Sequence, residues 1–254
     1  MRVEELYRVI DEIAPFSETM DFDNTGILVG DPQAEVTDAL LCLDVTARVL
    51  REAAGCGAQL IISHHPVIFN RMRAVLSDSL VYDLIRSGIS VISAHTNLDK
   101  AYPLGVNHAL AEALGLQNIH GILPDGGAHI AYMGELPEEL TAEAFGARIR
   151  EALGLKMLRY TPTNRMIRKV AVVGGAGGDY ALEAAACGAD AFVTGEVKHH
   201  EAVAARACGL ALYEAGHYHT EIVYRRMLCG ALAARCPAVR FHISKFERPP
   251  MEIL

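Results

Sequence analysis

The chain has 254 residues, 51% of them hydrophobic, and a formal net charge of −8. That length and apolar share are enough for one large or two modest packed domains and argue against disorder. No basic block offers a footprint for a phosphate backbone, so nucleic-acid binding is not expected, whereas a small anionic substrate held by a metal is compatible with the charge.

Cys42, Cys56, Cys187, Cys208, Cys229 and Cys236 form no Cys-x-x-Cys pair. This speaks against a thiolate zinc site or a redox dithiol and for reduced, mostly buried thiols. Arg2, Glu4, Glu5, Arg8, Asp11 and Glu12 interrupt any secretory segment at the start, and no membrane-length apolar run follows. A cytoplasmic protein without membrane contact is therefore expected.

Val3, Leu6, Ile10 and Ile13 recur at helical spacing and predict an amphipathic helix over 3–13, stopped by Pro15. Asp21-Phe22-Asp23-Asn24-Thr25-Gly26 supplies turn chemistry ahead of a short strand at 27–30, and a second strand at 39–43 ends at Asp44. A helix near 46–54 precedes an apolar run at 59–62, which finishes at Ser63-His64-His65-Pro66. The pattern then repeats: a helix at 80–86, Gly88, and a strand at 89–94 running into His95-Thr96-Asn97-Leu98-Asp99. Strands alternating with helices predict a layered α/β architecture. In such sheets functional groups gather past the carboxyl ends of strands, where Asp44, the His64-His65 pair and the 95–99 segment all fall.

Breakers at Pro124-Asp125-Gly126-Gly127 suggest a boundary between an N-terminal lobe over 1–125 and a C-terminal lobe over 126–254. The second half repeats the theme. A strand at 169–173, a turn at 174–178 and a helix at 180–186 lead to a strand at 191–194 that ends at Gly195-Glu196. A helix near 201–207 and a strand at 210–213 follow, and then comes Glu214-Ala215-Gly216-His217-Tyr218-His219-Thr220-Glu221.

Neighbouring side chains on a regular strand point to opposite faces, so His64 and His65 address one small volume only where the strand breaks, as Pro66 suggests, or by serving two ions. Two ions roughly 3.5–4 Å apart would suit that geometry; one buried and one exposed imidazole is the plainer alternative. His217 and Glu221 are four apart and share a helix face, a mixed nitrogen and oxygen set suited to Zn, Mn, Fe, Co or Ni. A helix face with one His and one solvated Glu fits the same spacing. Asp99 reads either as a metal-binding carboxylate or as a helix N-cap for the segment that follows. Taken together, these strand ends supply three His and two carboxylates, a shell for two divalent ions with positions left for water. Two such ions carry four positive charges against two carboxylates, and the excess attracts an anionic substrate oxygen, the starting point of metal-assisted hydrolysis.

Gly174-Gly175-Ala176-Gly177-Gly178 invites a phosphate-cradle reading. Gly175 and Gly177 fit the first two positions of a dinucleotide fingerprint, but Tyr180 occupies the third, so a sharp turn is expected instead.

Asp23-Asn24-Thr25-Gly26 with Gly30-Asp31-Pro32, Ser63-His64-His65-Pro66, Ala94-His95-Thr96-Asn97-Leu98-Asp99, Thr194-Gly195-Glu196 and Gly216-His217-Tyr218-x-Thr220-Glu221 together resemble the hexameric dinuclear metal-centre proteins. These form the NIF-three-like family, whose members are called GTP cyclohydrolase 1 type 2 homologs. The resemblance spans nearly the whole chain. It implies that His64, His65, Asp99, His217 and Glu221 are the ligands of two divalent ions, with Glu221 bridging both. It also implies two similar α/β lobes with mixed sheets facing a shared metal cleft, a homohexameric ring, and a short form without the inserted middle domain. His199, His200 and His219 stand outside that ligand pattern.

His95 is the candidate catalytic residue, placed to contact substrate or orient a ligand, while Asp44 or Glu196 could hold the N–H of a metal-bound imidazole. Asp23 and Asn24 read as turn or pocket-rim residues. The expected activity is metal-dependent hydrolysis of a nucleotide, another phosphate-bearing small molecule or a cyclic amide. A non-catalytic metal-binding or regulatory ring is the alternative.

Overall fold

A computed structural model of the chain describes residues 1–252. Helix α1 (Val3–Ile13) turns Val3, Leu6, Ile10 and Ile13 onto one buried face, as their spacing requires. Strands β1 (Gly26–Val29) and β2 (Asp38–Cys42) follow. Helix α2 (Ala47–Gly55) begins at Thr46, whose hydroxyl accepts the Val49 N–H, and leads to β3 (Leu60–Ser63). Ser79 caps α3 (Leu80–Ser87) in the same way, Gly88 closes it in the left-handed region, and β4 (Ser90–Ser93) comes next. Strands β2, β3 and β4 are parallel and buried along their whole length, which accounts for their near-continuous apolar sequence.

A one-turn helix, α4 (Thr96–Lys100), is followed by α5 (Val106–Ala113) and the antiparallel pair β5 (Gln117–Asp125) and β6 (Ala128–Leu140). The breakers at Pro124-Asp125-Gly126-Gly127 form the turn of this hairpin. Turn and linker chemistry use the same residue types, so the sequence does not separate the two uses. Then come α6 (Ala142–Leu153), β7 (Arg159–Tyr160), β8 (Ile167–Val173), α7 (Ala181–Ala186), β9 (Ala191–Thr194), α8 (His199–Cys208), β10 (Ala211–Glu214) and α9 (His217–Glu221). Helix α10 (Tyr224–Arg235) and β11 (Arg240–Ile243) complete the order.

The chain divides into two compact units. Unit 1 comprises Met1–Leu98 and Arg225–Arg248; unit 2 comprises Asp99–Tyr224 and the described residues from Pro249 onward. Each is a mixed α/β structure with its own sheet.

In unit 1 the strand order is β1-β4-β3-β2-β11, with β4, β3, β2 and β11 parallel and β1 antiparallel at one edge. Val49, Leu50 and Ala53 of α2 and Val81 and Leu84 of α3 pack on Leu40, Ile61 and Val91 of this sheet.

In unit 2 the order is β5-β6-β8-β9-β10-β7, with a parallel centre of β8, β9 and β10. Alternation sends Val170 and Val172 to one core with Phe145, Ile149 and Tyr213, and Ala171 and Val173 to the other with Ala181, Ala205 and Leu212.

All six cysteines are free. Cys42 and Cys236 are buried, but Cys187 and Cys208 are exposed because they end α7 and α8 at the surface, so burial of the thiols is only partial. Among the described residues no helix is long and apolar enough to cross a membrane.

Candidate metal centre

In unit 1 the candidate donors lie just past the carboxyl ends of β2, β3 and β4. Main-chain bonds hold this edge in register beyond the strands: His64 N–H to Cys42 O, His65 N–H to Leu43 O and Ala94 N–H to Ser63 O. The Ser63 hydroxyl reaches forward to His65 O at 2.9 Å and tightens the turn into Pro66.

His64 is fully buried and gives Nδ1–H to Ala94 O at 3.0 Å. His65 is half-buried, with Nδ1 2.7 Å from Asp44 Oδ1. The plain alternative of one buried and one more exposed imidazole thus describes their burial, yet both rings are anchored through the same nitrogen. His95 joins them: its ring centroid lies 5.0 Å from that of His64 and 5.4 Å from that of His65. One donor atom from each of the three lies within 4.8 Å of the other two.

Asp23 does more than form a turn. Its buried Oδ1 accepts from His95 Nδ1 at 2.9 Å, and Oδ2 accepts from the Thr96 hydroxyl at 2.7 Å and the Thr96 N–H at 3.1 Å. Burial pushes this carboxyl upward, but the bonds from His95 and Thr96 outweigh it and hold the pKa at about 2. Asp23 is therefore a carboxylate that fixes the His95 tautomer. Asn24 gives its side-chain amide to Ile68 O at 2.6 Å and so ties the 21–26 segment to the loop after the His pair.

In unit 2 the equivalent edge follows β8, β9 and β10. His217 opens α9 and Glu221 ends it, so one helical turn presents both. His217 Nδ1 lies 2.7 Å from Glu196 Oε1, and Nε2 lies 3.1 Å from Oε2 of the buried Glu221. Two ligand atoms that share one ion at about 2.0–2.2 Å are themselves about 3 Å apart, so this spacing suits a common cation.

The glycine turn serves these two side chains and not a phosphate. Gly175 is in the left-handed region at φ 60°, and a Cβ there would overlap Glu221 Oε1 and come within 3.2 Å of His217 Nε2. Three of the turn's amides are engaged by side chains: Gly174 N–H goes to Asn107 Oδ1, Gly175 N–H to Thr220 Oγ1 and Gly177 N–H to Thr194 Oγ1. Gly195 is required for a similar reason, since a Cβ would lie 2.6 Å from His217 Cα.

Unit 1 thus brings His64, His65 and His95 together, and unit 2 brings His217 and Glu221 together. Asp99 is the fourth residue of α4, and the next helix is capped by Gly105, so Asp99 is not an N-cap. Both expected outer partners are in contact, Asp44 with His65 and Glu196 with His217. His199 and His200 open α8 and are exposed. His200 lies near Asp179 and Glu201, but Lys198 Nζ is 3.0 Å from both Asp179 oxygens and 3.3 Å from Glu201 Oε1, so that cluster already contains its own cation.

Each candidate ligand imidazole has an oxygen placed to accept its Nδ1–H, and the tautomer this favours has its lone pair on Nε2. That is the arrangement of histidines that bind metal. The donor set of imidazoles and carboxylates fits a borderline divalent cation.

A Clostridium perfringens protein called GTP cyclohydrolase 1 type 2 homolog is 34% identical over 265 residues, covering 100% of both chains. Among solved structures, the Staphylococcus aureus hypothetical protein SA1388 superposes with a TM-score of 0.94 at 30% identity, covering 100% of this chain and 99% of that one. A Bacillus cereus protein related to NIF3 gives 0.93 at 25% identity with the same coverage. Residues 1–250 match the model of Duf34/NIF3 (NGG1p interacting factor 3), and the chain belongs to that family.

Proposed function

We propose that this protein holds two divalent metal ions through His64, His65, Asp99, His217 and Glu221, with Glu221 shared by both, and that it is a metal-dependent hydrolase of small molecules. The observation that carries this reading is the shared anchoring of His64, His65 and His217, each through Nδ1 to an oxygen of its own unit. Three imidazoles fixed in one tautomer point to ligation more strongly than any of them does alone. Zn, Fe, Mn, Co or Ni suits such a set.

Bound divalent ions would supply Lewis-acid polarisation of a substrate oxygen and activation of water near neutral pH. The chain's own residues do the rest. Asp44 and Glu196 orient His65 and His217, and the Gly174–Gly175 turn gives Glu221 the space it occupies. Asp23 keeps the proton of His95 on Nδ1 and stabilises the positive charge that His95 acquires when Nε2 takes up a proton, as a general base requires. The name of the Clostridium relative supports a nucleotide or cyclic-amide substrate. The family resemblance supports a cytoplasmic homohexamer.

Elemental analysis of the purified protein tests the metal reading: two ions per chain are expected, and fewer in His64→Ala and His217→Ala. Full metal content in both variants would sink it. Turnover of a panel of nucleotides, phosphoesters and cyclic amides tests the hydrolase reading. Two bound ions with no turnover would favour a non-catalytic ring in which the ions organise a binding surface.

A further inference from the structure

Unit 2 contains a cavity of about 550 Å³ that reaches His217, within the size range of small-molecule sites. Its walls come from the segment after α6, the β10–α9 turn and Pro249–Glu252, all of them in unit 2. Leu155, Met157, Leu158, Pro249, Pro250 and Met251 give it an apolar lining. Met157 and Met251 are 58% and 83% exposed, so large apolar side chains stand at its mouth in water, the kind of surface that a ligand covers. Tyr218 and His219 meet edge to face at 5.5 Å along the helix side of the cavity.

Charge does not favour an anion here. Arg159 is committed to Glu214 by an ion pair, and the positive charge of Lys156 is offset by the negative charge of Glu252 in the same lining. In the nearby glycine turn the Gly174, Gly175 and Gly177 amides are bonded to side chains and are not offered to a phosphate.

We propose that this cavity binds the uncharged, apolar body of the substrate. Within the hydrolase reading, on which this assignment rests, the substrate class is a neutral ring-bearing amide and not a nucleoside triphosphate. The apolar part seats among Met157, Leu158 and Pro250, and the reacting group lies toward His217. His219, outside the ligand pattern, becomes a wall residue that contacts the bound ring.

The probe is N-phenyl-1-naphthylamine, a neutral aromatic dye, titrated by fluorescence into the full-length metal-loaded protein. Saturable binding of one dye per chain is expected. Met157→Asp and Pro250→Asp each weaken it on the order of tenfold or more, because each puts a charge on an apolar wall. Met157→Leu retains it, and millimolar GTP does not displace it. Both aspartate substitutions are at surface-accessible positions, and circular dichroism checks their folding. Non-saturable binding, equal affinity in the two aspartate variants, or displacement by GTP overturns the proposal. Metal content measured on the same samples separates the two readings. A chain that takes up no metal on loading yet still binds dye overturns the two-ion centre and leaves the cavity standing, whereas a metal-loaded chain that binds none overturns the cavity.

Discussion

His217 lies between two carboxylates, with Nδ1 2.7 Å from Glu196 and Nε2 3.1 Å from Glu221. The two partners differ in environment: the Glu196 side chain is 59% exposed and that of Glu221 is 3% exposed. Glu196 orients the ring from the solvent side, and Glu221 faces it from the interior. Glu196→Ala is expected to lower metal affinity about 10–100-fold with little change in melting temperature. Glu196→Gln should lie between, because its carbonyl oxygen still accepts the bond without the charge. Chelator competition measures this, and wild-type affinity in the alanine variant would remove Glu196 from the positioning role.

Gly175→Ala probes the same pair from the opposite side. The new methyl would overlap the Glu221 carboxylate, and the residue would also be held at positive φ. A stability loss of about 1–3 kcal/mol is expected, together with reduced metal content. Denaturant unfolding and elemental analysis read the two effects separately. Normal metal content in a folded variant would show that Glu221 has room to move.

His64→Ala and His95→Ala should differ in kind. Loss of His64 should lower metal content, as expected of a ligand. Loss of His95 should leave two ions per chain and reduce kcat on the order of 10²–10⁴-fold, the range for a general base. Metal loss in His95→Ala would instead make this residue a ligand, a role for which its place beside His64 and His65 also equips it.

Away from the candidate metal centre, Asp38 joins β2 to β11. It accepts from His242 Nε2 at 2.9 Å and Arg240 Nη2 at 3.0 Å, and bonds to these two residues lower its carboxyl to about 2. The unfolded-state value is about 3.9. The stability that this carboxylate contributes is therefore complete above that value and is lost as pH falls toward 2. Asp38→Asn should cost about 1 kcal/mol at neutral pH, a small figure because the Arg240 side chain is 79% exposed and screened by water. The difference from wild type should shrink in unfolding curves measured near pH 2. A constant difference across that interval would refute the assignment.

Much of the frame is legible in the sequence because buried parallel strands are short apolar runs that stop at turn residues. Strands β2, β3, β4, β8, β9 and β10 have that form, and the donor residues follow their ends directly. The β5–β6 hairpin is not legible, since its turn has linker composition and the last part of β6 is exposed and acidic, with Pro137, Glu138 and Glu139. Asp23 could not be matched to His95, because 72 residues separate them and nothing local to either marks the pairing. The glycine spacing departs from a dinucleotide fingerprint at Tyr180, but the need for glycine at 175 comes from Glu221, 46 positions later, a proximity that only the folded chain creates.

The sheet of unit 1 is finished by a strand distant in sequence, with Asp38 bonding to Arg240 across 202 residues. At a translation speed of about 5–20 residues per second, the outer edge of β2 waits roughly 10–40 s for β11. During that interval the nascent chain carries an open strand edge able to pair with neighbouring chains. Crowded polysomes would therefore favour early shielding of that edge, and a strand made 202 residues later decides whether this layer closes on itself.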